Sequence, residues 1–197
     1  MVQLLGGRYE LTSTLARGSR SDIFLAHDRR LERDCCVKLL SDGGNVERFR
    51  RDMLALAGID DEHLPVVYDL IVGDDVAYAV TRHVEGEPMN HVLRPMPLAR
   101  ATRMMIDVLE GLAALRPHRA SCDLDPSHVV IGPTRAYLFG IRARETIESE
   151  DVTRVQTLFG ALLGDVMPPA FSLIASARYP TLGAMASALM LGLRQLE

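Results

Sequence analysis

Cysteine is scarce in this chain, with three residues in 197, two of them adjacent at Cys35 and Cys36. Such usage excludes a disulfide framework and any paired-cysteine zinc pattern. It leaves Cys35, Cys36 and Cys122 as reduced, packed side chains. Long apolar runs are missing as well: none reaches the roughly 18 residues of a membrane span. The N-terminus lacks the charged-then-apolar order of a signal peptide, so the expected location is the cytoplasm. Positive charge is not in surplus either. Lys and Arg total 22 against 26 Asp and Glu, a net charge of -4. The arginines are scattered, which argues against a nucleic-acid partner. There is no internal repeat and no low-complexity tract. What is present is 48% apolar residues, enough for a buried core, in a length that suits one large domain or two small lobes.

The first part reads as strands around one helix. Alternation at Tyr9, Leu11 and Ser13 predicts a strand within Leu5 to Leu15. A-R-G-S-R-S at Ala16 to Ser21 separates it from a second strand at Ile23 to Ala26. Asp34 to Leu40 is a third, with Lys38 set in an apolar and β-branched run. A charge there is costly unless it snorkels or meets an anion, so Lys38 is the first candidate functional residue. Gly43-Gly44 breaks the chain, Asn45 caps a helix to about Ala57, and Gly58 stops it. Strands follow at Leu64 to Val72 and Val76 to Val84, with a turn at Gly73 to Asp75.

Composition shifts at Glu85-Gly86-Glu87-Pro88, and helical patterns then dominate. Leu98 to Leu115 carries an amphipathic stripe through Met104, Met105, Val108, Leu109 and Leu112, with Pro117 ending it. The methionines read as core filler. From His118 to Gly140 comes the stretch on which the chain is organised. It holds D-L-x-P-S-x at Asp123 to His128, a strand V-V-I, a G-P-T turn, a strand R-A-Y-L, and x-F-G at Leu138 to Gly140. A helix opens at Glu148 with acids at its positive end and runs to Gly164. Pro168, Pro169 and Pro180 punctuate the tail, and Thr181 caps a last helix to about Leu196.

Taken in order, these segments resemble a bacterial eukaryotic-like Ser/Thr protein kinase domain. The opening through V-K-L-L resembles the family's phosphate loop and lysine strand. E-R-F-R-R-D-M-L resembles its helix C, and D-D-V-A-Y-A-V-T-R-H-V the strand leading to the hinge. D-L-D-P-S-H is similar to D-L-K-P-x-N, L-F-G to D-F-G, D-V-T-R-V-Q-T-L-F-G to helix F, and R-Y-P-T to the motif before the last helix. The resemblance implies an α+β, protein-kinase-like bilobal fold. Residues 1–86 would form an N-lobe with an antiparallel sheet and helix C, and residues 87–197 a mainly helical, shortened C-lobe.

The departures matter more than the matches. Kinase chemistry needs a phosphate cradle, a lysine on the phosphates, two metal ligands and a proton-accepting aspartate. Of the cradle's glycines only Gly18 remains, with Ala16 and Ser21 at the outer positions. Lys38 holds the phosphate-lysine position, and Asp52 stands where helix C carries Glu. Asp123 matches the proton-accepting aspartate. The family's catalytic-loop lysine is Asp125, its metal-binding asparagine is His128, and its D-F-G aspartate is Leu138, which cannot hold a metal. Spacing sets Ser121-Cys122-Asp123, not His118-Arg119-Ala120, on the H-R-D positions. Only about ten residues separate Gly140 from Asp151, too few for a substrate platform. One electrostatic contact in such a site is worth about 3 kcal/mol or more, so these losses together leave Asp123 vestigial.

Three readings follow. In the first, a catalytically inactive pseudokinase acts as a regulatory or scaffold module for a protein partner. The partner, or a second copy of the chain, would sit on apolar surface left around helix F. The second is a nucleotide-binding pseudokinase or residual kinase. It would use Lys38, Gly18, Asp52 and Asp123, with Thr81 as gatekeeper and a backbone hinge at Arg82, His83 and Val84, binding ATP without metal. The third is a metal or small-molecule phosphotransferase site at Asp123, Asp125 and His128, although solvated loop residues under no catalytic demand explain Asp125 and His128 better. The first reading needs no cofactor and no metal.

Overall fold

The computed structural model describes residues 3–73, 76–92, 95–164 and 169–195. Asp74, Asp75, Pro168 and Leu196, named above in turns and helix ends, lie outside them. Backbone contacts divide the chain into two units, residues 1–58 with 65–83, and residues 59–64 with 84–197. The division falls three residues before the boundary read from composition. It also moves 59–64 to the second unit, which no linear cut could do. The reason is a hydrogen-bonded brace: the Leu138 N–H donates to the His63 carbonyl at 2.8 Å.

The first unit is a six-stranded antiparallel sheet and one helix. The strands are β1 (Gln3–Leu5), β2 (Tyr9–Arg17), β3 (Ser21–Asp28), β4 (Arg33–Leu40), β5 (Val67–Val72) and β6 (Ala77–Arg82), in the order β1-β2-β3-β4-β6-β5. The expected first strand is thus two, parted by the tight turn at Gly6 and Gly7. Helix α1 spans Val46–Ala57, and Asn45 Oδ1 accepts the Arg48 N–H at 2.7 Å, as its sequence position predicts. Period-two alternation gives the sheet two apolar faces. Ala77 and Ala79 pack with Phe49 and Met53 of α1, while Tyr78 and Val80 pack with Tyr9, Ala26, Cys35 and Val37.

The second unit contains β7 (Glu87–Pro88), α2 (Leu98–Leu115), β8 (Ser121–Cys122), β9 (Val129–Ile131), β10 (Ala136–Leu138), β11 (Ile141–Arg142), α3 (Glu148–Leu163), α4 (Pro169–Ser176) and α5 (Leu182–Leu193). Strands β10, β9 and β7 form one small sheet, and β11 pairs with β8. The α2 stripe is buried as the 3.6-residue period requires, with Met104, Met105, Val108, Leu109 and Leu112 all in the core. Thr181 caps α5 by accepting the Ala184 N–H at 3.1 Å. Glu148, expected to serve its own helix, instead accepts the Leu182 N–H at the start of α5 at 2.9 Å.

Apolar exposure around α3 was expected; among the described residues the inward stripe of α3 is covered, while Ile147 at its N-cap is 63% exposed. Val152, Val155, Leu158, Phe159, Leu162 and Leu163 are buried, and the Phe159 ring meets that of Phe171 on α4 at 6.4 Å. Helix α4, which starts at Pro169 and was not anticipated, contributes that cover. Exposed large side chains in this unit include Leu173 on α4 and Met190 and Leu191 on α5. Cys35, Cys36 and Cys122 are buried and form no disulfide.

A buried ion pair ties the β1–β2 turn to the end of β3. Arg8 Nε and Nη2 donate to the two Asp28 oxygens at 2.8 and 2.7 Å, and the Arg30 and Leu31 N–H groups add two more bonds. The Arg8 guanidinium holds the Asp28 carboxyl down at about 2. A depressed carboxyl contributes stability that is complete above its unfolded value and is lost as pH falls through the folded one. Asp28→Asn therefore lowers the thermal midpoint at neutral pH. The gap to wild type narrows as pH falls from about 5 toward 2, and thermal unfolding by circular dichroism across that range tests it.

Candidate active site

Two groups of candidate residues fall in different units. In the first unit, Lys38 lies on β4 in register with Ala79 of β6, whose side chain packs against α1. Alternation therefore puts Lys38 and Thr81 on the face that α1 covers. Asp52 is a buried residue of α1, and Arg48 Nε lies 3.9 Å from its Oδ2. Lys38, Asp52 and Thr81 thus share one side of the sheet. Arg82 is exposed and its N–H already donates to the Val66 carbonyl at 2.8 Å. His83 Nδ1 lies 3.5 Å from Cys36 Sγ. Val84 begins the second unit's share of the chain.

The phosphate-loop position is a tight turn. Gly18 is needed there because a Cβ would lie 2.8 Å from the Ser21 carbonyl oxygen. Its N–H donates to Asp22 Oδ1 at 3.3 Å, and the Arg20 carbonyl accepts the Ser41 N–H at 3.0 Å. An amide that a kinase would turn toward phosphate is thus given to a carboxylate, and that carboxylate repels an anion placed there.

In the second unit the loop and the x-F-G tripeptide are drawn together by backbone bonds. Ile141 pairs with Cys122 and Arg142 with Ser121. The Asp123 N–H donates to the Gly140 carbonyl at 3.1 Å, and the Phe139 N–H to the His128 carbonyl at 2.7 Å. Cys122 Sγ donates to the Phe139 carbonyl at 2.8 Å. Burial pushes the Cys122 thiol far up, so it is no nucleophile. Gly140 has φ +70°, and a Cβ there would stand 2.8 Å from the His128 ring, so both its conformation and its space demand glycine. Arg119 is 84% exposed and takes a left-handed cap after the 3₁₀ turn at Arg116–His118, away from the catalytic-loop position.

Asp123 is held at both oxygens. Arg142 Nε donates to Oδ2 at 2.7 Å and Arg144 Nη2 to Oδ1 at 2.8 Å. Burial works to raise its pKa, but the Arg142 hydrogen bond and the charges of Arg142, Arg144 and His128 outweigh it and hold the carboxyl below its usual range. A carboxylate so clamped is a weaker base and has its lone pairs directed at guanidinium. Asp125 has a separate task. Its Oδ1 accepts both the N–H and the hydroxyl of Ser127, at 2.9 and 2.6 Å, capping the 3₁₀ turn Pro126–His128. These bonds lower its pKa. His128 Nδ1 points at the Asp123 carbonyl at 2.7 Å. Among the described residues, Asp123, Asp125 and His128 do not bring three ligand atoms together, which speaks against the metal form of the third reading. Leu138 is fully buried, and a Cβ on Gly111 of α2 would touch its side chain.

The arginine pair is the part of the site that sequence reasoning missed. Its signal was I-R-A-R directly after L-F-G, two cations one strand away from the loop aspartate. The role of Asp125 was also legible, since Asp-Pro-Ser is a turn signature.

Comparison with known proteins finds bacterial serine/threonine-protein kinases among the relatives of this chain. The chain is 24% identical over 170 residues to the serine/threonine-protein kinase PrkC of Bacillus subtilis, covering 80% of this chain and 26% of that protein. It is 32% identical over 157 residues to a probable serine/threonine-protein kinase of Streptomyces coelicolor, covering 70% and 23%. It is 31% identical over 175 residues to PknB of Mycobacterium leprae, covering 79% and 28%. The chain spans about a quarter of the length of these relatives. No family model matches it.

If the two arginines hold Asp123 ionised, removing them moves its titration. In the Arg142→Ala, Arg144→Ala double variant the Asp123 carboxyl titrates at higher pH than in wild type, because burial then acts with little opposition. Carbon-detected NMR of the side-chain carboxyl measures this, and an unmoved titration would mean that the clamp does not form in solution.

Proposed function

Because this chain carries a eukaryotic-like kinase domain related to the bacterial Ser/Thr protein kinases, we propose that it works as a pseudokinase: a regulatory binding module that transfers no phosphate. The observation that carries this reading is the double clamp on Asp123. Phosphoryl transfer relies on positioning and on electrostatic stabilisation of developing charge, and a single cationic contact can change the rate by about 10³–10⁵. Here the aspartate that would take the substrate's proton is spent on an internal ion pair. The position of the main metal ligand is a buried leucine, and the position of the phosphate-side lysine is an aspartate that caps a turn. Restoring any one of these leaves the others absent. The module's partner is a protein, and a second copy of the chain is one form it could take.

A second reading, nucleotide binding without catalysis, draws on a different observation. Lys38, Thr81 and Asp52 lie on the same side of the first unit's sheet. A lysine held there suits an anionic ligand, and ATP would be taken without a metal ion.

The thermal midpoint of wild type and Lys38→Met, measured with ATP or ADP and with or without Mg²⁺ or Mn²⁺, separates the readings, since a ligand specific for the folded state raises the midpoint. The scaffold reading expects no shift and no transfer of labelled γ-phosphate. A shift that ignores metal and vanishes in Lys38→Met supports nucleotide sensing. A shift that requires metal, with phosphate transfer, overturns both.

A further inference from the structure

The second unit holds another cluster of titratable groups, separate from Asp123 and unused by the reading above. His63, on the segment 59–64, meets two acidic residues one helical turn apart on α2, Asp107 and Glu110. One ligand atom from each lies within 4.8 Å of the other two. The His63 side chain is 5% exposed. Its backbone is fixed on both sides: the N–H donates to Asp61 Oδ1 at 2.9 Å, and the carbonyl accepts the Leu138 N–H at 2.8 Å. The ring is oriented by the Ala136 carbonyl, 3.3 Å from Nδ1. A carbonyl only accepts, so this contact requires the proton on Nδ1 and leaves the Nε2 lone pair facing the acids. Glu110 Oε2 lies 3.3 Å from Nε2, and Glu62 Oε1 lies 3.9 Å away.

Asp107 is oriented in the same manner. Its Oδ2 accepts the Ala136 N–H at 2.7 Å. Thus one residue of β10, Ala136, positions both the imidazole and a carboxylate. The nearby guanidinium of Arg135 is engaged by Glu62. Burial raises the pKa of Asp107, with Glu110 adding to it and His63 and Arg135 opposing it. An imidazole lone pair and two carboxylates turned toward one another repel unless a cation sits among them. A proton on His63 satisfies one contact, whereas a divalent ion satisfies all three.

We propose that His63 Nε2, Asp107 and Glu110 form a binding site for a divalent transition metal of the zinc class. The donor set suits it: one neutral imidazole and two carboxylates, with the fourth position open to water. A backbone carbonyl on the far nitrogen of the ligating histidine is the usual support for such a ligand. Glu110 is half exposed, which provides a route of entry and the side-chain freedom to close on an ion at about 2 Å. The ion would tie the segment 59–64 to α2.

The test is Zn²⁺ binding to the chelator-treated chain, by competition with a chromophoric chelator, with Co²⁺ absorption as a report on coordination. His63 is buried, and its replacement can unfold the unit, so the decisive variant is Glu110→Gln. The site expects one Zn²⁺ per chain, a visible Co²⁺ band, a raised thermal midpoint, and affinity at least about 10-fold weaker in Glu110→Gln. Zn²⁺ bound equally by Glu110→Gln is held by other histidines or cysteines and overturns the proposal. So does an absence of binding with a His63 titration that shifts in Glu110→Gln, which would make the cluster a simple ion pair.

Discussion

The second unit's site depends on a two-residue ladder. Strands β8 and β11 are too short to be stable alone, yet they set the register of everything around them. Their pairing puts the Asp123 N–H on the Gly140 carbonyl, and the Phe139 N–H on the His128 carbonyl follows from the same approach. Gly140 makes this possible twice over, through its positive φ and through the lack of a Cβ that would strike the His128 ring. The ladder also carries Arg142 to Asp123 across the strand pair. Cross-strand charge pairs are modest in water, but this arginine is only 11% exposed and its hydrogen bond is short.

A common pattern runs through the polar groups at the kinase-motif positions. Asp125 makes a turn, His128 faces a backbone carbonyl, Gly18 gives its amide to Asp22, and Arg82 gives its own to the sheet. In an enzyme these groups must be left with spare hydrogen-bonding capacity, because the substrate, nucleotide and metal supply their missing partners. Here the chain itself supplies partners for each of those four. The pattern supports the proposed reading on grounds independent of residue identity, since a group already engaged locally is no longer poised for a ligand.

Much of the fold was legible because it rests on local signals. Asn45 and Gly58 bound α1, Thr181 opens α5, and the stripe from Met104 to Leu112 predicts the buried face of α2. What was not legible depends on contacts distant in sequence. The assignment of 59–64 to the second unit rests on a bond between residues 63 and 138, and no periodicity records it. Glu148 reads as a first-turn acid for its own helix, and only the tertiary arrangement brings it to the start of α5. Helix α4 begins at Pro169, within a proline pair that a sequence reading takes as a break, although proline is well suited to a first turn. Within the site, Asp123 and Leu138 were found by motif, whereas Arg142 and Arg144 lay outside every motif. Their role arises from a strand pair only two residues long.

The two arginines follow from a requirement of charge. Asp123 is partly buried, and burial alone favours its neutral form. A kinase keeps such an aspartate ionised among metal ions and a neighbouring lysine. Leu138 cannot bring a metal, and Asp125 brings a further negative charge in place of the lysine. An ionised Asp123 in that setting would be an uncompensated charge in a partly desolvated loop, and the cost of that state grows as solvent is excluded. Guanidinium is suited to the task because it is always charged and its planar donors meet carboxylate oxygens at short range. With cations fixed on β11 and just beyond it, the aspartate remains ionised without a metal. The loop is held in one conformation, and the Asp123 charge is compensated within the fold.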